Sequence, residues 1–452
     1  MSERSSKHRR VLIVSFWFPP TNVVGAARIG KFAKYLPSFG WEPLVLTVNK
    51  VKRSISATLP VEIEESKIIR TPYFGLADFV TSRFVAGYGN SQNSSQTISW
   101  KYKFYVQMEK SLRPIYRLPA LKMLITDPAG WYPFAVKKGL EIVRKYQIDA
   151  LFSSFGPSTS HLIAAQLQRK TGIPWIADFR DLWSQHPYYP KNQPFHSLEE
   201  YIEKRVINNS KKLITINELA AKELASLHHK EVLVISNGFD DEEYNLSIPL
   251  TSKFTLTYTG HILPGVKTPF DMLFSAIAEL KEEQHISQDD FELRFFGGNI
   301  AGIDPSSTLL PLTTKFGINN LTKIYDEIPR PECVKVQKES TALLVLLPID
   351  NSSIGVYSGK LFEYIGAQRP ILAITIKGDL IEHLLDESGT GKVAASKDGI
   401  KEILSKWIIE FKQQGNITSH YSPQKDIIAR HTRKEKARKL SEVLDEVASL
   451  AK

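Results

Sequence analysis

Residues 148–183 read IDALFSSFGPSTSHLIAAQLQRKTGIPWIADFRDLW, and the fold turns on them. Residues 148–153 and 173–178 are short apolar runs, each too short for a globular helix. Between them, residues 158–170 carry apolar positions at helical spacing. Gly156-Pro157 and Gly172 with Pro174 punctuate the joints. A strand, a helix and a second strand in this order predict a βαβ unit with its strands parallel.

The same grammar extends in both directions. Upstream, 10–16, 43–48 and 67–71 read as strands, and 25–39 and 131–146 as helices. Downstream, 198–209 reads as helix, and 212–216 and 232–235 as strands. The pattern then restarts: strands at 255–259, 292–296, 341–347 and 370–375, with helices at 269–281 and 360–367. The expected fold class is therefore α/β, with two Rossmann-like halves built on parallel sheets. Their expected bounds are 1–240 and 241–424. The polar, acidic stretch 237–250 serves as linker, and 425–450 forms a final helix. Residues 74–125 fit neither half and read as an insertion in the first.

Composition limits the functions available. The chain has 452 residues, long enough for two or three domains, and its 42% apolar and 23% charged residues are ordinary for a folded protein. A single cysteine, Cys333, excludes an intrachain disulfide framework and a cysteine-rich zinc site, and points to a reducing cytosol. No apolar run reaches the roughly 18 residues of a membrane span. Arg9-Arg10 followed by 11–18 imitates a leader, but Pro19-Pro20 ends it early, so it reads as a first buried strand. A formal charge of +10 invites nucleic acid, anionic membrane or phosphorylated small molecules.

Several motifs are absent. The loop after the first strand does not match the G-x-G-x-x-G dinucleotide fingerprint. Gly389-Thr390-Gly391-Lys392 imitates the end of a phosphate loop, but Val393 stands where Ser or Thr is needed. There is no H-E-x-x-H, no Asp-x-Asp and no G-x-S-x-G. Neither a metal nor a cofactor is expected.

Four stretches carry chemistry instead. After the first strand, Gly25 opens a helix that also holds Arg28, and a helix start there can meet an anion. In the second half, Gly260 ends a strand, followed by His261 and then Lys267 just before a helix. Gly359, Lys360 and Glu363 begin another helix, where a carboxylate can accept hydrogen bonds from ribose hydroxyls. Asp178, Arg180, Asp181 and Trp183 follow a buried strand, on the edge where open α/β sheets bind ligands.

Together these stretches resemble the family-four glycosyltransferases of the GT-B fold. Phe18-Pro19-Pro20 with Gly25 and Arg28 is similar to that family's opening loop. Ser236-Asn237-Gly238-Phe239-Asp240 resembles its turn near the interdomain linker. The run from Gly172 through Trp183 looks like a branch that builds bacterial surface polysaccharide. The resemblance implies two domains facing across a cleft, with the last segment, 425–452, crossing back to the first. It also implies a nucleotide-sugar donor, UDP-linked, on the second domain, an acceptor on the first, and retention of anomeric configuration without a metal.

Within that resemblance, Asp178, Asp181 and Arg180 are the expected catalytic residues. Gly25, Arg28, Gly260, His261, Lys267, Gly359, Lys360 and Glu363 are the expected donor-binding residues. Two departures stand out. His261 replaces the family's arginine, and Gly355 stands where the first of two paired glutamates is found, Glu363 matching the second.

The charge then divides into local clusters. Residues 100–125 hold six Lys or Arg against one acid, and 425–439 hold seven against two. Both fit an anionic inner-membrane face carrying a polyprenyl-linked acceptor, with the protein cytoplasmic or peripheral. Nucleic acid is the least expected partner. Two other readings stay open: a non-catalytic assembly protein on this fold, and a dinucleotide-dependent sugar-modifying enzyme.

Overall fold

The computed structural model describes residues 9–49, 57–74, 129–185, 196–261, 267–297, 305–349, 357 and 359–450. The basic aromatic stretch 100–125, most of the expected insertion and Gly355 lie outside these residues. The chain divides into two compact units, Met1–Ser236 with Ala437–Lys452, and Asn237–Lys436.

The first unit holds β1 (Arg9–Val14), β2 (Trp41–Val48), β3 (Ile68–Thr71), β4 (Ala150–Ser154), β5 (Trp175–Phe179), β6 (Lys212–Thr215) and β7 (Val232–Val234). Their order across the sheet is β3-β2-β1-β4-β5-β6-β7, and neighbours pair in parallel. A strand alternates its side chains between faces. Accordingly, Leu12 and Val14 enter one buried cluster and Val11 and Ile13 the other. Such a strand must be apolar throughout, which is why β1 reads as a continuous run.

The helices Val24–Tyr35, Tyr132–Lys145 and Thr159–Thr171 cover the faces. Gly172, at φ 72°, ends the last of them in the left-handed region open to glycine. On the other face, Ala437, Leu440, Leu444 and Val447 pack against Val11 and Ile13. Their spacing is that of one apolar helical stripe.

The second unit holds β8 (Phe254–Thr259), β9 (Phe291–Phe296), β10 (Thr322–Tyr325), β11 (Ala342–Leu346), β12 (Ile371–Ile374) and β13 (Gly391–Ala394). The order is β10-β9-β8-β11-β12-β13, again parallel throughout. Both units thus show the doubly wound arrangement expected. In each sheet the strand order reverses once, between β1 and β4 and between β8 and β11. Ligands in open α/β sheets bind at that point, beyond the strands' carboxyl ends.

Two local readings need correction, and the rejected phosphate-loop imitation finds its place. The edge strands β10 and β13 were not anticipated. β10 is only half-buried and β13 opens on glycine, so neither shows the buried apolar run that marks the central strands. The phosphate-loop imitation resolves as Gly389, at φ 64°, ending the helix Leu380–Ser388, followed by β13. Finally, the single helix expected over 425–450 is two, Lys425–Ala429 and Arg433–Ser449. The break occurs where Phe239 N–H donates to His431 O at 3.0 Å and Arg433 N–H donates to Phe239 O at 2.7 Å. A Cβ on Gly238 would lie 2.3 Å from His431 O, so only glycine admits this approach.

Candidate functional site

In the first unit, the loops after β1, β4 and β5 converge on two arginines. Arg28 comes from the helix after β1 and is 1% exposed. Its Nη2 and Nε donate to the two oxygens of Asp178 at 2.8 and 3.2 Å, and Nη1 donates to Ser236 O at 3.2 Å. Asp178, near the end of β5, is fully buried and also accepts from Ser154 Oγ at 2.8 Å. The guanidinium lies over the Phe32 ring at 4.8 Å. A bidentate buried pair of this kind is fixed in place, because removing either partner strands a charge away from water.

Arg180 lies nearer the surface. Its Nε and Nη2 donate to Phe155 O and Gly156 O at 2.8 and 3.2 Å, and Nη1 pairs with Asp181 at 2.9 Å. A Cβ on Gly25 would fall 2.7 Å from Arg180 Nε, and one on Gly156 would fall 2.3 Å from Nη2. Gly25 is therefore the residue against which the guanidinium rests. The structure brings Gly25, Arg28, Asp178, Arg180 and Asp181 together at the first sheet's switch point.

Beneath them lies a buried network that sequence reading did not single out. Trp175 Nε1 donates to Ser153 Oγ at 2.8 Å, and Ser153 Oγ sits 2.7 Å from His161 Nδ1. Burial, then the nearby His228, lowers the His161 pKa to about 3, so this imidazole is neutral and structural. His161 and Trp183 both pack against Phe155, which stacks on Phe179, and this holds the 180–183 loop from below.

In the second unit, Gly260 follows β8 at φ 105°. That conformation favours glycine, and a Cβ there would meet Lys360 Cε at 2.6 Å. Lys360 is the second residue of the helix Gly359–Ala367. Its Nζ donates to Tyr258 OH at 2.5 Å and to His261 O at 3.1 Å, and lies 4.0 Å from the Tyr258 ring centroid. Tyr258 OH in turn donates to His261 O at 2.7 Å. Burial pulls the Lys360 pKa down to about 7, against the upward pull of Glu363 and Cys333. The lysine is thus a cation that ordinary changes of pH, or an arriving anion, can switch.

Glu363 stands past the first turn expected for it, one turn along the same helix face as Lys360. Its Oε2 pairs with Arg330 Nη1 at 3.0 Å, while Arg330 Nε and Nη2 both reach Glu243 Oε2 at 2.9 Å. Burial opposes the arginine's charge, but Glu363, Tyr244 and Glu243 hold its pKa above the ordinary value. Behind it, Tyr244 OH donates to Gln337 Oε1 at 2.6 Å. Gln337 Nε2 donates to Thr259 Oγ1 at 2.9 Å, and Thr259 N–H donates to Tyr364 OH at 2.9 Å. Fully paired buried networks of this sort rigidify the groups they support.

Gly260, His261, Gly359, Lys360 and Glu363 therefore come together at the second switch point. Lys267 opens the helix Lys267–Glu282 and is exposed, after a connection outside the described residues. Arg330 was missed: it opens the helix Arg330–Glu339 with no motif around it, and only the fold reveals its partners. Cys333 is pushed up to about 11, by burial first and then by Glu363, so it is a thiol without nucleophilic character.

The basic run 425–439 is not one solvated patch, because Arg433 and Lys436 are buried. Among the described residues, no helix is long and apolar enough to cross a membrane.

Comparison with known proteins bears on the fold. The family model described as Glycosyltransferase Family 4 matches residues 100–243. No curated protein sequence matches the chain significantly. A glycosyltransferase from Rickettsia africae is similar in structure, with TM-score 0.60 and 14% identity over 98% of this chain and 99% of that one. HepE from Anabaena, solved in complex with UDP, gives TM-score 0.61 and 13% identity over 97% and 100%. A sucrose-phosphate synthase from Thermosynechococcus elongatus gives 0.56 and 11% over 98% and 97%. The fold is that of the GT-B glycosyltransferases, and the resemblance to family four read from the sequence is found again in the family-model match.

Proposed function

We infer that this chain moves a sugar from a UDP-linked donor to an acceptor hydroxyl, with retention of anomeric configuration. One observation carries the reading. Lys360, Gly260 and Glu363 meet at the second sheet's switch point, where a cation, the glycine it packs against and a supported carboxylate lie within one site. That HepE is solved with UDP, and shares the fold, supports the choice of nucleotide.

The chemistry follows from the charges. Cleaving the donor's sugar–phosphate bond builds negative charge on the departing diphosphate and positive character on the sugar. Lys360, with its charge restored by the arriving anion, neutralises the diphosphate, and the exposed Lys267 adds a weaker, screened cation. Glu363, held by Arg330, accepts hydrogen bonds from the ribose. Gly260 gives the Lys360 side chain its room, and Gly359 opens the helix whose N-terminus would face the phosphates. His261 contributes through its carbonyl, which fixes Tyr258 and Lys360. The missing arginine is thus partly made good by Lys360.

The first unit would bind the acceptor. Both Asp178 oxygens are already engaged, so Asp178 and Arg28 act by holding the sheet edge rigid. Asp181 and Arg180 are the polar groups left for an acceptor to meet, with Gly25 as the floor beneath Arg180. A lipid-linked glycan acceptor at an anionic inner-membrane face is the partner consistent with the basic stretch 100–125. Neutralisation by side chains predicts activity that survives a chelator.

The test is to incubate the protein with a panel of UDP-sugars and a polyprenyl-linked acceptor, and to weigh the product. A mass gain of one sugar, with the donor's anomeric configuration kept, is expected. If UDP neither binds nor protects against thermal unfolding, the reading fails.

A further inference from the structure

The loop that follows β5 carries Arg180 and Asp181, and its far end is fastened by groups that the proposed chemistry leaves unused. Ser184 is buried, and its N–H donates to Glu203 Oε2 at 2.8 Å. Its carbonyl accepts from His196 Nε2 at 3.1 Å. His196 and Glu203 both belong to the helix His196–Ile207, so one helix grips both backbone groups of one residue.

Glu203 is itself fully buried. Its Oε1 lies 3.1 Å from Nε2 of His228, the last residue of the helix Glu218–His228, and the His228 side chain is buried too. Among the described residues, no lysine or arginine pairs with Glu203. A carboxylate taken out of water is costly unless its oxygens are hydrogen-bonded, and a helix can cover a loop with apolar residues at no such cost. The acid answers a need that packing does not meet, a buried N–H outside any strand or helix ladder. A charge-assisted hydrogen bond is also directional, whereas apolar contact is not.

The near end of the loop is fixed as well. Phe179, the last residue of β5, packs on the rings of both His161 and His228, with centroids 4.8 and 6.0 Å away. Its carbonyl accepts from Thr215 Oγ1 at 2.8 Å. His228 therefore serves both ends: the ring that backs Phe179 also holds the carboxylate that holds Ser184. Arg180 and Asp181 lie between these two fixed points, with the Asp181 carboxylate half exposed.

We propose that Glu203 is a positioning residue for the acceptor. By fixing Ser184 it sets where Asp181 stands, although it touches no substrate itself. The inference rests on the reading of Asp181 and Arg180 as the groups an acceptor meets. A misplacement of about 1 Å in such a group is enough to slow transfer by tenfold or more.

The full chain tests this with Glu203→Ala, Glu203→Gln, Asp181→Ala and the double variant Asp181→Ala/Glu203→Ala. Hydrogen exchange read by mass spectrometry reports on the loop without any substrate. Peptides covering 180–185 should exchange about tenfold faster in Glu203→Ala, while those of β4 and β6 keep the parent's rates. Glu203→Gln should stay close to the parent, because its amide oxygen still accepts from Ser184 N–H. With the UDP-sugar panel and a polyprenyl-linked acceptor, Glu203→Ala should lower kcat/KM for the acceptor about tenfold and leave UDP affinity unchanged. That loss should vanish in the Asp181→Ala background, a non-additivity that a general loss of stability does not produce. Should Glu203→Ala fail to fold, His196→Ala frees Ser184 from its carbonyl side and must give the same pattern. Unchanged exchange at 180–185, additive losses in the double variant, or UDP affinity that falls together with acceptor turnover would each overturn the proposal. A parent that transfers no sugar overturns the proposed function and this role with it, and is told apart from those failures because the exchange pattern still follows Glu203.

Discussion

The two switch points use charge in opposite ways. In the first unit, Arg28 and Asp178 are both buried, and each satisfies the other through two hydrogen bonds. Both oxygens of that carboxylate are taken up by Arg28 and Ser154. In the second unit, Lys360 is held by a phenol and a carbonyl, and Glu363 shares Arg330 with Glu243. The first arrangement shapes an edge. The second keeps charge in reserve for something that arrives. On the proposed function, similar strand order and similar residue types serve architecture in one place and binding in the other.

The largest expected effect would break the architectural side. Asp178→Ala leaves Arg28 buried without its counter-charge, and should cost about 3–5 kcal/mol in urea unfolding. Replacing both by apolar residues of similar volume should recover much of that loss. A single mutant that unfolds like the parent would show that the pair is not structural.

Next is the support of the binding side. Arg330→Met leaves Glu243 and Glu363 facing each other unpaired. It is expected to lower stability by about 1–3 kcal/mol and to weaken UDP binding about tenfold. If stability falls but UDP affinity does not, Arg330 serves the fold alone.

This contrast also marks what the sequence made legible. Continuous apolar runs announced the central strands, because strands buried on both faces must be apolar on both. The edge strands β10 and β13 gave no such signal. Glycine and helix-start positions announced Gly260, Gly359 and Lys360, because close backbone approach leaves a mark in sequence. Side-chain pairing across the fold leaves none. Arg28 and Asp178 lie 150 positions apart, and nothing in either stretch announces that they form one ion pair. Arg330 had no flanking motif at all. The interrupted C-terminal helix was hidden for the same reason, since its break depends on Phe239 and Gly238 from a distant turn.

A smaller effect sharpens the comparison through pH. Lys360 titrates at about 7 in the folded chain, against an ordinary 10.5. Between those values the unfolded chain binds more protons, so this group makes stability rise with pH over that window. Donor affinity should run the other way and fall as pH rises through 7, because the neutral amine cannot pair with a diphosphate. Lys360→Arg should flatten that dependence, read from UDP titrations at pH 6 and 8. An equally steep profile in Lys360→Arg would locate the titrating group elsewhere.

The smallest effect belongs to Lys267. Being exposed, its charge is screened, and Lys267→Ala should weaken UDP binding no more than about threefold. A loss larger than that of Lys360→Met would make Lys267 the principal cation instead.

The most direct measurement is a calorimetric titration of UDP into the parent protein, Glu363→Ala and Asp181→Ala. The account predicts that the parent binds, that Glu363→Ala binds about tenfold more weakly, and that Asp181→Ala binds like the parent. Undiminished binding in Glu363→Ala together with a loss in Asp181→Ala would contradict it, and would move the nucleotide to the first unit.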